Sequence, residues 1–504
     1  MAALPDAQMI DNSVDPAQVA ITGITKDSRK VAPGALFVAY RGVENDLHRF
    51  IPDAIARGAA AIVCEDARWQ AANTGRVPCV VTSNGRQAFA HLCAAWHDYP
   101  GRSLVVIGVT GTDGKTTTSN LIYHILRAAG LKAGVISTVN AVIGDRALDT
   151  GLHTTTPDAD DVQSYLAQMR DAGMTHCVLE VTSHGLAQYR VDGVDFDVAV
   201  ITNITHEHLD LHGTREAYRA AKARLFEMVS QRPPAKAGAP PTAAVLNADD
   251  DYSFDYLRAI PVARQIVYSA RADAIPGLET LQAAQIEHAP NSMRLIVRTP
   301  RGETTVHSRL IGQFNASNIL AAIGAALALD TPDEAIQAGL AAMPGVPGRM
   351  ERIDLGQPFT AIVDFAHTPN ALEQALRTLR PLTTGRLIVV FGCAGERDTF
   401  KRPMMGRVAG HYADVIVLTA EDPRREPLDQ IIEQIAAGID NPSAQVLRAP
   451  DRGEAIQTAC ALARPGDIVV SCGKGHEQSM CFGVTETPWD DREAMRQALR
   501  HLGF

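Results

Sequence analysis

Residues 104–130 read LVVIGVTGTDGKTTTSNLIYHILRAAG, and the order of residue types within them decides the fold. LVVIGV is uniformly apolar, as in a strand covered on both faces of a parallel sheet. TTTSNLIYHILRAAG carries its apolar residues at helical spacing and stops at Gly130, a residue that ends helices. The turn between them, TGTDGKT (110–116), offers backbone N–H groups at a helix N-terminus, which is an anion site. Lys115 would neutralise the β and γ phosphates, and the Thr116 hydroxyl would ligate Mg²⁺. The strict pattern G-x-x-x-x-G-K-[ST] is not met, because five residues separate Gly108 from Gly114. Gly111, Thr112, Asp113, Gly114, Lys115, Thr116 and Thr117 are therefore expected to hold a nucleoside triphosphate, with ATP as the expected ligand. A phosphate loop alone does not name a reaction.

Outward from this stretch, apolar runs alternate with helical patterns, the rhythm of a parallel sheet covered by helices. An α/β chain of three domains is expected. Residues 1–98 form a smaller block with short strands such as GALFVAY (34–40) and AAAIVCED (59–66), ending near HDYPGRS (97–103). Residues 99–345 form the central block, with a polar, proline-rich surface loop, SQRPPAKAGAPPT (230–242). After the linker AAMPGVPGRMERI, residues 346–504 repeat strand and helix. Their strands are FTAIVDFA, RLIVVFGCAG, ADVIVLTAED, AQVLRAP and GDIVVSCGKG.

Composition narrows the function classes. A chain of 504 residues, 46% hydrophobic and 21% charged, is long enough for two or three cores. A net charge of −10 argues against nucleic acid as a partner. No segment has the makeup of a signal peptide or a membrane span. The eight cysteines are scattered through apolar runs without CxxC spacing, as reduced core residues. A cytoplasmic chain without a membrane partner is expected, probable monomers being the simplest state.

Two further strands end in polar residues. HCVLEVTSHGL delivers Glu180, Thr182 and Ser183, and FDVAVITNITHEHLDLHG delivers Asn203, Glu207, His208 and Asp210. In doubly wound sheets such groups gather with the phosphate loop at the carboxyl ends of the strands. Glu180 is either a structural cap or, with His208, a metal ligand. After Thr214, REAYRAAKARLFEMV places Lys222 within an apolar stripe of Tyr218, Ala221, Leu225 and Val229. Its ammonium either snorkels to water or is buried and needs a partner or a lowered pKa.

At this point the chain resembles the Mur ligase family, which builds the peptide of the bacterial cell-wall precursor. The resemblance runs through DSRKVAPGALFVAYRG, GVTGTDGKTTT, TTTPDADDVQ, EVTSHGLAQYRV, TNITHEHLDLHGT, YRAAKARLF, GQFNASNILAA, GRMERID, VDFAHTPNALEQAL, FGCAGERDTFKRP and GKGHEQ. It is strongest with the members that add the third amino acid. It implies a uridine-nucleotide-binding N-domain, a central ATPase and a Rossmann-like C-domain that receives the amino acid. The implied reaction joins a diamino acid, meso-diaminopimelate or L-lysine/L-ornithine, to UDP-N-acetylmuramoyl-L-alanyl-D-glutamate through an acyl phosphate.

The resemblance also implies residue roles. Lys222 would be carried as a carbamate, a modification that needs the neutral amine burial favours. Thr116, Glu180, His208 and carbamylated Lys222 would hold Mg²⁺, with Lys115, Lys222 and His208 as the catalytic set. Asn318, Arg349 and Asp364 would close over the nucleotide. Ser28, Thr155, Thr156, Thr182, Gln188 and Arg190 would hold the UDP-sugar-peptide, with Val43, Glu44 and Asn45 near its uridine end. Arg397, Glu421, Asp422, Pro423, Arg424, Gly473 and Glu477 would receive the amino acid.

Departures from the family pattern are mild: Leu47 within the usual DGH, Glu207 for Asp, Phe365 for Tyr in DYAH, and DTFKR after Arg397. Arg397 and Arg424 suit carboxylates and Glu477 an ammonium. Asp422 stands where diaminopimelate-adding members have Asn, and a free carboxylate there would instead favour the side-chain amine of lysine or ornithine. Three rivals are a folylpolyglutamate synthase-like ligase, a phosphate-loop ATPase with an appended module, and a non-catalytic relative.

Overall fold

The structure, a computed structural model, describes residues 4, 8–9, 18–42, 45–66, 68, 77–148, 155–205, 212–233, 236, 238–271, 277–289 and 292–504. Val43, Glu44, Glu207, His208 and Asp210 lie outside them.

Three sheets carry the chain, as expected for an α/β protein of three domains. The first has the order Gln8–Met9, Cys79–Val81, Ala61–Cys64, Ala35–Val38, Gly23–Thr25, parallel except for its first pair. Ala35–Val38 is buried throughout, so its side chains serve both faces.

The central sheet is built around Val105–Thr110. Its neighbours are His176–Glu180 on one side and Val198–Ile201 on the other, both parallel. Ala133–Ile136 extends the parallel set beyond the first, and Ala243–Asn247, Arg264–Ser269 and Glu279–Ala289 extend it beyond the second. The edges turn antiparallel, through Ser292–Thr299 and Gly302–Ser308 at one and Ala141–Ile143 and Arg146–Leu148 at the other. These ribbons depart from the plain strand–helix alternation. Their connections, such as Thr299 to Gly302, are too short for a crossover helix and fold back as hairpins.

The helix Gln313–Ala328 crosses the middle of this sheet and is buried over most of its length. Its Gly324 is needed for close approach, since a Cβ there would sit 2.6 Å from Val245 Cγ1.

The third sheet has the order Glu351–Ile353, Thr360–Asp364, Ile468–Cys472, Leu387–Phe391, Val415–Leu418, Gln445–Arg448, parallel after its first pair. All five strands read from the sequence of this block are present. Arg452 is buried beneath their carboxyl ends, donating to both Asp491 oxygens, to Cys472 O at 2.8 Å and to Ala420 O at 3.1 Å. Arg452→Met should lower the unfolding midpoint of this region markedly, by about 3–5 kcal/mol in stability, because Asp491 would remain buried and unpaired. Thermal unfolding of the two proteins measures this, and an unchanged midpoint would contradict it. Among the described residues no helix is long and apolar enough to cross a membrane.

Candidate active site

The phosphate loop leaves the strand Val105–Thr110 and enters the helix Lys115–Ala128. Two of its positions tolerate only glycine. Gly111 has φ +147, and a Cβ there would lie 1.8 Å from Thr202 Oγ1. Gly114 has φ +82, and its Cβ would meet Asn318 Oδ1 at 2.2 Å. The loop is fixed from the neighbouring strand end: Thr112 N–H donates to Asn203 O at 2.7 Å, Asp113 N–H to Asn203 Oδ1 at 3.1 Å, and Thr202 Oγ1 to Asp113 O at 2.6 Å. Lys115 begins the helix with Nζ 2.8 Å from Thr112 O. The cation thus lies against the loop whose N–H groups open the helix.

Glu180 ends the strand on the other side and is 1% exposed. Its carboxylate accepts from Thr116 Oγ1, Thr138 N–H and Thr138 Oγ1, each at 3.0 Å. Both readings of Glu180 therefore have a basis: it is tied into the fold, and it lies at the helix start with two hydroxyls. This all-oxygen set is one that a hard divalent cation prefers.

Lys222 does not snorkel. It is 1% exposed, with Nζ 2.6 Å from Gly111 O and 4.5 Å from the Tyr218 ring centroid. The helix Arg215–Ser230, capped by Thr214, delivers it to the back of the phosphate loop. Tyr218 Oη meets Thr112 Oγ1 at 3.0 Å, so the same helix grips the loop twice. His212 and His184 lie beside Tyr218, with ring centroids 5.3 Å from His212 to Tyr218 and 5.9 Å between the histidines. Sequence reading passed over both, although each lies in a quoted motif.

A hydrogen-bonded line runs from this centre toward the N-terminal sheet. Thr156 Oγ1 lies 3.2 Å from Glu180 O and 3.0 Å from Thr182 Oγ1. Arg190 donates to Thr156 O at 2.8 Å and to Gln188 Oε1. Thr155 adjoins this line in sequence. Ser28 is buried in the N-terminal unit, and Asn45 is exposed there, accepting from Arg49.

The third unit meets the loop from above. Asn370 Nδ2 lies 3.3 Å from Asp113 Oδ2. Asn318, on the central helix, donates to Asn315 and reaches Thr118. Arg349 stacks over Phe365 at 4.3 Å, and Asp364 accepts from Met350 N–H and Ala366 N–H. Burial lowers the Arg349 pKa and raises that of Asp364, and each charge partly offsets the shift of the other. Phe365 also faces His367 and His476. Burial pushes these imidazoles down, to about 4 and about 3, so both are neutral at neutral pH.

The amino-acid candidates share one end of the third sheet, but not as independent groups. Lys474, fully buried, donates to both Asp422 oxygens at 2.9 Å and pairs with Glu477 at 2.6 Å. Cys481 N–H also donates to Asp422. The expected free carboxylate at position 422 is thus neutralised within the fold, because Lys474 of the GKGHE turn lies under it. Glu421 is buried against Gly473, whose Cβ would sit 2.3 Å from Glu421 Oε2. Burial raises its carboxyl to about 7, with Lys401, Arg452 and Lys474 opposing. Pro423 O approaches Gly395 so closely that a Cβ there would be 1.9 Å away. Arg397 is exposed and Arg424 half-buried, and neither guanidinium makes an ion pair among the described residues. Lys474 and Lys401 were missed in the sequence; the lysine of GKGHE was the available signal.

Comparison with known proteins completes the description. Residues 20–97 match the model "Mur ligase family, catalytic domain", 109–326 "Mur ligase middle domain", and 348–475 "Mur ligase, glutamate ligase domain". A UDP-N-acetylmuramyl-tripeptide synthetase of Roseiflexus sp. (strain RS-1) is 46% identical over 499 residues, covering 97% of this chain and 96% of the relative. A UDP-N-acetylmuramoyl-L-alanyl-D-glutamate--2,6-diaminopimelate ligase of Geobacillus kaustophilus (strain HTA426) is 42% identical over 483 residues, covering 96% of each. A solved structure of another 2,6-diaminopimelate ligase of that name superposes with a TM-score of 0.68 at 31% identity, covering 98% of both chains.

Proposed function

This chain belongs to the Mur ligase family, and from that premise we propose that it joins a diamino acid to UDP-N-acetylmuramoyl-L-alanyl-D-glutamate at the expense of ATP. The observation that carries the reading is the convergence of the phosphate loop, Glu180 and the Thr156–Thr182 line on neighbouring strand ends. A triphosphate and a peptide carboxylate would meet there, with the third unit above them.

The γ-phosphate passes to the peptide carboxylate, giving an acyl phosphate. The amine attacks this acyl phosphate, and inorganic phosphate leaves. Both reactants are anions, so the protein's task is charge neutralisation and alignment. Lys115 and the N–H groups of the loop face the phosphates; Arg349 and Asn318 approach from the opposite side. Thr116 and Glu180 would hold Mg²⁺, with His208 and Lys222 as its further candidates. A cation bound there would supply charge neutralisation. Lys222, enclosed beside Gly111 O, is proposed to be carried as a carbamate.

The amino acid is proposed to be diaminopimelate. With Asp422 engaged by Lys474, the groups left to choose are Arg397 and Arg424, which suit a second carboxylate. Arg424→Ala should lower kcat/KM for diaminopimelate by roughly ten- to a hundredfold while changing that for lysine much less. Equal losses for the two amino acids would contradict this assignment.

The overall reading is tested by phosphate release with each substrate omitted in turn. Release only when ATP, the UDP-dipeptide and the amino acid are all present supports it. Turnover of ATP alone would favour a simple ATPase, and acceptance of a folate would favour the folylpolyglutamate ligases.

A further inference from the structure

A cleft of about 230 Å³ opens between the N-terminal and central units. From the N-terminal side it is lined by Lys26, Tyr40, Arg86 and Phe89, and from the central side by Asp158 and Arg190, among others. Lys26 reaches across the junction to pair with Asp158, which also pairs with Arg190 at 3.2 Å. Three cations thus face one carboxylate inside the cleft, with Asp160 within electrostatic reach of Lys26.

The cations are held by their surroundings. Lys26 lies 5.4 Å from the Phe89 ring and Arg86 5.0 Å from that of Tyr40, contacts that restrict long side chains. Burial alone would lower the Lys26 pKa, but Tyr40 and Asp158 bring it above its ordinary value, so the ammonium is charged at neutral pH. Arg190 then connects the cleft to Thr156 and, through it, to Glu180 beside the phosphate loop.

We propose that this cleft takes the diphosphate of the sugar nucleotide, with Lys26 and Arg86 as its N-terminal half and Arg190 as its central half. The proposal rests on the function given above, in which the peptide carboxylate lies at the phosphate loop and the uridine lies on the N-terminal unit. The diphosphate is the anionic group between those ends, and a dianion matches the excess of two positive charges in the cleft. Asp158 keeps the cations gathered when no anion is present, and its bond to Lys26 ties the two units together. Lys26 and Arg86 lie outside the substrate set read from the sequence.

The test is calorimetry on the full chain, with UDP-N-acetylmuramoyl-L-alanyl-D-glutamate, UDP and uridine as probes. Lys26→Met and Arg86→Met should each weaken the first two by roughly tenfold or more, the scale of a lost charge-assisted contact, and leave uridine unchanged. Lys26→Arg, which keeps the charge, should bind UDP nearly as the wild type does, separating a lost cation from a damaged fold. Unchanged UDP affinity in both Met variants would overturn the proposal, as would an equal loss for uridine. A wild-type chain that binds UDP but not the sugar nucleotide would instead remove the parent reading, and the assignment with it.

Discussion

Lys115→Ala is expected to reduce turnover by about 10² or more, the scale seen when a group that stabilises developing charge is removed. Lys115 is the first residue of its helix, and Nζ lies on the outer side of the loop against Thr112 O. The helix itself should survive, because the loop is shaped by Gly111, Gly114 and the bonds from Thr202 and Asn203, none of which involves the lysine side chain. Alanine is also a good helix former. Binding of the UDP-dipeptide should stay within a few-fold, roughly below 1 kcal/mol, since its proposed contacts lie along Arg190, Thr156 and the N-terminal unit. Initial rates together with calorimetry measure the two quantities separately. A parallel collapse of UDP-dipeptide binding would sink this division of labour.

Lys222→Met is expected to cost a comparable factor, on the order of 10², through loss of the proposed carboxylate-bearing side chain at the metal site. Methionine keeps most of the volume in the apolar stripe of Tyr218, Leu225 and Val229, so the melting temperature should move little. The carbamate has its own signature: enzyme prepared with ¹³C-bicarbonate should show a carbamate carbon resonance that is absent from Lys222→Met. Loss of activity with no such resonance in the wild type would leave Lys222 important but unmodified, and full activity in the variant would end the proposal.

Local sequence was sufficient wherever one short segment carried the whole argument. The strand, turn and helix of 105–128 were legible because apolar period, glycine placement and helix start all lie within the segment. The five strands of the third unit were legible for the same reason. By contrast, nothing in residues 279–308 announced the antiparallel ribbon, since period alone gives a strand but not the direction of its partner. Lys222 is an intermediate case. Its apolar neighbours were visible, but whether a long side chain ends in water or against Gly111 depends on what the helix packs upon.

The sequence by itself determined the three-unit α/β plan, the phosphate loop and the polar strand ends around it, because these follow from patterns a few residues long. Only the tertiary structure decided which charges are available. Asp422 lies 52 residues from Lys474, and Lys26 lies 132 from Asp158, so neither pairing leaves a trace in local composition. An ion pair depends on the inverse distance between its charges and on the water excluded around them, and both are set only when separate strand ends become neighbours.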